Sequence, residues 1–258
     1  MATGSYISVN LTHKQLEFLK LLDYHEIDIF TIDGIEKMIG KKVKDLNEIS
    51  ENLVQKELLA RIEKGKYCRF NFKDHLVISN YLVDDGVIAY WSALNKHGLT
   101  EQFPNTVFVQ TAKDKREKKV FGVSYKFIYV AKRKLIGYDI HGYGNHQFRM
   151  SDIEKTIVDC FDLPQYSGGY AELSRAFNSA KLDAKKIVKY CKAINNMAAT
   201  KRMAFLAELL QKPEFDVFLK YAKGILNERY NLFDAFGNDK GEHVNEWKLR
   251  LNISKEDI

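Results

Sequence analysis

Between Leu11 and Phe72 the spacing of apolar positions changes twice, and each change marks an element. Leu16, Leu19 and Leu22 recur at helical intervals behind Thr12 and Gln15, a pair spaced to cap the first turn reciprocally. A short apolar stretch, Ile27 to Phe30, follows. Thr31 or Asp33 can cap a second helix over 35–39, and Gly40 ends it, because helices stop readily on a residue that tolerates a left-handed backbone. A third helix is predicted from about Lys44 to Glu57, turning Leu46, Ile49, Leu53 and Val54 inward. The period then falls to two. Runs 58–62 and 67–72 alternate and meet through Glu63-Lys64-Gly65-Lys66, a hairpin with a basic tip.

Helix, turn, helix and hairpin in that order predict a winged helix-turn-helix over residues 1–75, with the third helix as the one that enters a groove of duplex DNA. The candidate contacts are Lys41, Lys42 and Lys44 at the turn, and Asn47 and Ser50 on the third helix. Lys64, Lys66 and Arg69 are the candidates on the hairpin. Lysines of this kind position a protein on phosphate, whereas Asn and Ser reach base edges. The first 75 residues carry twelve Lys and Arg against twelve Asp and Glu, so binding would rest on local cations rather than on net charge. Glu48 and Glu51 oppose phosphate unless they face solvent or a cytosine amino group. A neutral module of this shape also suits a protein-interaction adaptor.

The boundary to a second domain is expected within 73–87, giving 76–258 as that domain. Asp74 can cap a helix to about Leu82, and a further helix over 89–97 stops at Gly98. Short β-type runs at 107–109, 120–123 and 125–130 predict a small antiparallel sheet. Ser151 and Glu154 form a second capping box for a helix that Pro164 ends, and helical periods recur over 182–195 and 200–210. Residues 230–233 and 247–253 read as two strands around the turn 236–241. The fold class is therefore α+β: a winged helix-turn-helix followed by a mixed α/β domain.

Composition narrows the setting. Of 258 residues 45% are apolar, the three cysteines lie far apart, and no apolar run approaches the roughly twenty residues of a membrane span. A reduced, cytoplasmic, non-membrane protein is expected, without disulfides, bound metal or cofactor. The net charge of +6 sits in the second domain: residues 110–137 hold nine cations and two acids. Arg116, Lys118, Lys119 and Arg133 are its candidate phosphate contacts, although a solvated hairpin explains such a run equally well. Aromatic residues from Phe103 to Tyr129 interleave with these lysines, either to stack single-stranded bases or as the core face of a strand.

Three segments resemble the AbiEi antitoxins of type IV toxin-antitoxin systems, known as abortive-infection regulators: Ile88-Ala89-Tyr90-Trp91-Ser92-Ala93-Leu94-Asn95-Lys96-His97-Gly98-Leu99-Thr100, Ser151-Asp152-Ile153-Glu154-Lys155-Thr156-Ile157-Val158-Asp159 running on to Tyr166-Ser167-Gly168-Gly169, and Asn245-Glu246-Trp247-Lys248-Leu249-Arg250-Leu251-Asn252. With the N-terminal module they cover nearly the whole chain. Two features depart from the family: Phe233-Asp234 is followed by Ala235 rather than proline, and the third helix is less basic. The resemblance implies a non-enzymatic repressor of its own operon that binds inverted repeats in double-stranded DNA, two copies per operator. It also implies a C-terminal domain that counteracts an AbiEii-like nucleotidyltransferase toxin without a stable complex.

An enzyme is the competing reading. Asp152, Glu154, Asp159 and Asp162 fall on one helix with Lys155, which invites a metal-dependent nuclease, although acids in a first helical turn also serve the helix dipole. His141 and His146 lack a third ligand of fixed spacing, and no phosphate-cradling glycine loop or nucleophile elbow occurs.

Overall fold

The computed structural model describes residues 10–254. Ten α-helices among these residues, with mixed sheets, make the protein α+β. Two compact units are present. The first holds the described residues to Asp84 with Val120–Gly122 and His141–Phe148, and the second holds Asp85–Lys119, Val123–Ile140 and the described residues from Arg149 onward.

The first unit runs α1 (His13–Tyr24), β1 (Ile29–Thr31), α2 (Ile32–Ile39), α3 (Leu46–Gln55), β2 (Leu59–Glu63), β3 (Lys66–Arg69) and α4 (His75–Leu82). Thr12 and Gln15 close the reciprocal cap of α1. The buried stripe of that helix is Gln15, Phe18, Leu19 and Leu22, an i, i+3, i+4, i+7 set that leaves Leu16 outside. Thr31, not Asp33, caps α2: its hydroxyl accepts from the Gly34 N–H at 3.0 Å, so the helix starts three residues before the expected point. Gly40 ends it at φ +68°, where a Cβ would be strained.

The apolar stretch before α2 supplies β1, which pairs antiparallel with β3, and β3 pairs antiparallel with β2, giving the order β1-β3-β2. β3 stops at Arg69 rather than Phe72, because Phe72 N–H turns back to the Arg69 carbonyl. Phe18, Ile35, Leu53, Leu59 and Tyr67 fill the core between helices and sheet. Each such fully buried side chain contributes about 1.5–3 kcal/mol. The unit passes residue 75 because α4, capped by Asp74, packs on β1 and β2. Segment 141–148 belongs to it through Asn145, whose amide donates to Ile29 O at 3.1 Å, and through His146, paired with Asp28 at 2.9 Å.

The second unit opens with β4 (Val87–Ile88) and α5 (Tyr90–Lys96), then β5 (Thr106–Thr111), β6 (Lys118–Val120), β7 (Val123–Tyr129), β8 (Tyr138–His141) and β9 (Phe148–Ser151). These strands form one sheet in the order β6-β7-β5-β4-β9-β8. The sheet is mixed, not the small antiparallel one expected: β5 pairs parallel with β7 and β4 with β9, and only the β4–β5 junction among these is antiparallel. The expected run 120–123 straddles a turn: Val120 ends β6, Val123 opens β7, and Phe121 and Gly122 between them are both at positive φ.

Helices α6 (Ile153–Asp162), α7 (Tyr170–Ser179), α8 (Ala184–Ile194), α9 (Met197–Leu209) and α10 (Asp216–Ile225) follow, and α6 packs against α5, α7, α8 and α9. A helix enclosed on so many sides buries every residue from Glu154 to Phe161. Its cap is Asp152, whose carboxylate accepts the Lys155 N–H at 2.8 Å, so the expected Ser151–Glu154 box is displaced by one residue. In the tail, β10 (Asn231–Leu232) lies parallel to β12 (Leu249–Leu251), and β11 (Glu242–Val244) pairs antiparallel with β12, a strand absent from the expected pair. Trp247 is buried in the same core as Phe161, Phe177, Phe215 and Phe233.

Candidate nucleic-acid interface

The turn into α3 is held by three interactions that the sequence separates widely. Gly40 reverses the chain, Glu36 Oε1 accepts the Val43 N–H at 2.9 Å, and Lys14 pairs with Asp45 at 2.9 Å. Asp45 enters α3 at φ +60° and makes no side-chain cap, since its carboxylate faces Lys14, whose hydrogen bond lowers the Asp45 pKa. Lys41, Lys42, Lys44 and Asn47 are thereby exposed, with no hydrogen bond or ion pair to other described residues.

Ser50 does not belong with them. It points into the core with its hydroxyl unpartnered among the described residues, because position 50 falls on the same stripe as Leu46, Ile49 and Leu53. The outward face of α3 instead carries Asn47, Glu48, Glu51 and Gln55. Gln55 escaped the sequence reading, although a period of four from Asn47 through Glu51 points to it.

Glu51 is not a bare anion on that face. It accepts from Tyr67 Oη at 2.6 Å and pairs with Arg61 at 3.2 Å, tying α3 to both strands of the hairpin. Burial first, and then the Glu51 carboxylate, push the Tyr67 pKa up to about 12. Glu48, by contrast, borders an open groove with Asp33, Glu36 and Asp45, so this side of the turn is acidic and the lysine side is the cationic one.

On the hairpin, Lys64 is exposed at the tip and has no partner among the described residues. Lys66 is half-buried, paired with Glu63 at 3.2 Å and donating to Leu82 O at 3.1 Å. Arg69 pairs with Asp23 and reaches Leu19 O at 3.5 Å. Both cations hold the unit together, so neither is available to DNA in this geometry.

In the second unit Arg116 and Lys119 are exposed and have no partner among the described residues, while Lys118 is half-buried in β6. Arg133 donates to the carbonyls of Ala193 and Ile194, closing the C-terminal end of α8 as helix ends favour. The aromatic interleaving is not a simple alternation: Tyr125 and Ile128, on opposite faces of β7, are both buried, and Tyr129 at the strand end is exposed. Lys126 lies 5.1 Å from the Tyr166 ring centroid.

The acids of α6 do not converge. Asp152 accepts from Tyr190 Oη at 2.6 Å, Glu154 accepts the Asp183 N–H at 3.0 Å, and Lys186 spans both carboxylates. Asp162 binds Lys134 at 2.7 Å and Asn196 at 2.8 Å. Lys155 and Asp159 form an ion pair sealed in the core, where burial raises the Asp159 pKa against the pull of Lys155. Among the described residues no three His, Cys, Asp or Glu side chains gather where they could hold a metal ion. His146 faces Asp28 and His141 stacks on Phe148, so the two histidines of that turn have separate partners. No described helix is long and apolar enough to cross a membrane.

No family model and no curated protein matches the sequence. Among solved structures the fold is similar to that of the RV2827C protein from Mycobacterium tuberculosis, with a TM-score of 0.64 over 94% of this chain and 92% of that one, at 13% identity. At that identity the likeness is one of fold.

Proposed function

We propose that this protein is the antitoxin of a type IV toxin-antitoxin pair and represses its own operon. Its first unit would act as a winged helix-turn-helix on inverted repeats in the promoter. The observation that carries the DNA-binding half is the exposed set Lys41, Lys42, Lys44 and Asn47 at the entry to α3, beside a β1-β3-β2 sheet with Lys64 at its tip. A helix presented N-terminus first between free cations suits a major groove, and the hairpin then reaches the flanking backbone. Two copies would occupy a symmetric operator. Arg116 and Lys119 are the remaining candidates for backbone contact from the second unit.

The antitoxin half rests on the resemblance of the three segments at 88–100, 151–169 and 245–252 to the AbiEi family. In this reading the chain works in the cytoplasm, catalyses nothing itself, and offsets an AbiEii-like nucleotidyltransferase toxin without a lasting complex. The test is a reporter driven by the upstream promoter, together with co-expression of the neighbouring toxin gene. Wild-type protein is expected to silence the reporter and restore growth. Lys42→Glu/Lys44→Glu should release the reporter while still restoring growth. A reporter indifferent to the wild-type protein refutes the repressor, and growth arrest in its presence refutes the antitoxin.

A further inference from the structure

The second unit contains a polar cavity of about 500 Å³ at the start of α9, walled by Arg133 and Lys134 on one side and by Asn227, Arg229 and Asn231 on the other. Asp162 is the carboxylate in that wall, and Lys134 and Asn196 already occupy both its oxygens. Arg133 lends part of its guanidinium to the end of α8, whereas the Arg229 guanidinium is exposed with no partner among the described residues. The floor is the first turn of α9. Asn196 caps the Ala199 N–H, but the N–H groups of Met197 and Ala198, which also line the cavity, have no acceptor among the described residues.

Behind this wall lies an unusual charge. The Lys201 ammonium is buried, and its acceptors are the amide oxygens of Asn227 and Asn231 and the carbonyl of Arg229. No carboxylate pairs with it among the described residues: the nearby Glu228 pairs with Lys248. Burial lowers the Lys201 pKa, the Glu228 carboxylate opposes that shift, and Arg229 and Lys248 add to it. A buried cation without a touching anion is costly, and the cavity in front of it is cationic in excess.

We propose that this cavity binds the phosphate group of a small phosphorylated ligand of nucleotide size. Arg229 would clamp the phosphate oxygens, the Met197 and Ala198 N–H groups would meet them from the helix end, and the asparagine amides would serve the remainder of the ligand. The hollow is open and mostly polar, which suits a charged group bound at its mouth rather than an enclosed apolar ligand. This inference is independent of DNA binding by the first unit and stands or falls without it.

The test is isothermal titration of the full chain at low salt with inorganic phosphate, with a nucleoside 5′-monophosphate and with the matching unphosphorylated nucleoside. Single-site binding is expected for the first two, tighter for the nucleotide, and none for the nucleoside. Arg229→Ala should weaken both at least tenfold. Asn227→Asp, nearly isosteric, should do the same while giving Lys201 a counter-charge, so its melting temperature should hold or rise. Absence of saturable phosphate binding overturns the proposal, as does binding that both variants leave unchanged.

Discussion

Tyr67 on β3 donates its hydroxyl to Glu51 on α3 at 2.6 Å, and Arg61 on β2 reaches the same carboxylate at 3.2 Å. The hairpin and α3 are therefore tied together, and the acid of that helix that would most oppose phosphate has two partners within its own unit.

That relationship has a pH signature. The Tyr67 pKa is raised in the folded state to about 12, from an unfolded value near 10. The neutral phenol stabilises the fold fully below pH 10, and that contribution fades as pH rises from 10 through 12. Burial pushes the Cys68 and Cys191 thiols up to about 12 as well, so the difference between wild type and Tyr67→Phe is the quantity to follow. The variant is expected to lose about 1–3 kcal/mol at pH 7, the worth of a hydrogen bond to a charged group. Its deficit should shrink toward pH 12 in urea unfolding.

Asn47 and Ser50 lie on one helix yet have opposite fates. Asn47→Ala should cost about 1–3 kcal/mol in operator affinity and relax preference at one base pair, leaving stability unchanged. Ser50→Ala should leave DNA binding untouched and hold or raise stability, because the buried hydroxyl has no partner among the described residues. Fluorescence anisotropy and thermal denaturation on the two variants separate the roles.

Much of the first unit was legible because its signals are local. Thr12 with Gln15, Thr31, Gly40 and Asp74 each act within a few residues of themselves, and the alternation around Lys64-Gly65 fixes its own hairpin. What failed was long-range. Nothing near Arg69 announces Asp23, nothing near Arg133 announces the end of α8, and Ser50 looks like any polar helix position until the stripe of Leu46, Ile49 and Leu53 is traced around it. In the second unit α7 and α10 went unread, and the parallel β5–β7 and β4–β9 pairings could not be seen, since strand direction is settled by partners distant in sequence. The acids of α6 misled for the same reason: their partners come from other segments, among them Lys134, Lys186 and Tyr190.

Lys155 and Asp159 give a sharp test of a structural role for that helix. Lys155→Met leaves a buried carboxylate alone and should cost about 3–5 kcal/mol. Lys155→Met/Asp159→Leu removes both charges and should recover most of the loss. If the double variant is no better than the single one, the pair is doing something other than neutralising itself in the core.

Gly137 has φ +66°, and a Cβ there would lie 2.5 Å from Cζ of Tyr190. Tyr190 holds Asp152, the cap of α6, so Gly137→Ala strains the backbone and displaces the ring together. A loss of about 2–3 kcal/mol is expected by calorimetry. Gly137→Ala/Tyr190→Phe should not restore stability, because the clash is with the ring carbons as well as the hydroxyl.

If α3 and its flanking lysines read a specific duplex, the protein must distinguish its own promoter from other DNA. A gel-shift titration of the protein on its own promoter fragment and on a scrambled duplex, at two salt concentrations, tests it directly. Tight binding to the promoter alone is expected, weakening steeply with salt and lost in Lys42→Glu/Lys44→Glu. Equal, weak binding to both duplexes, unchanged in the variant, would contradict it.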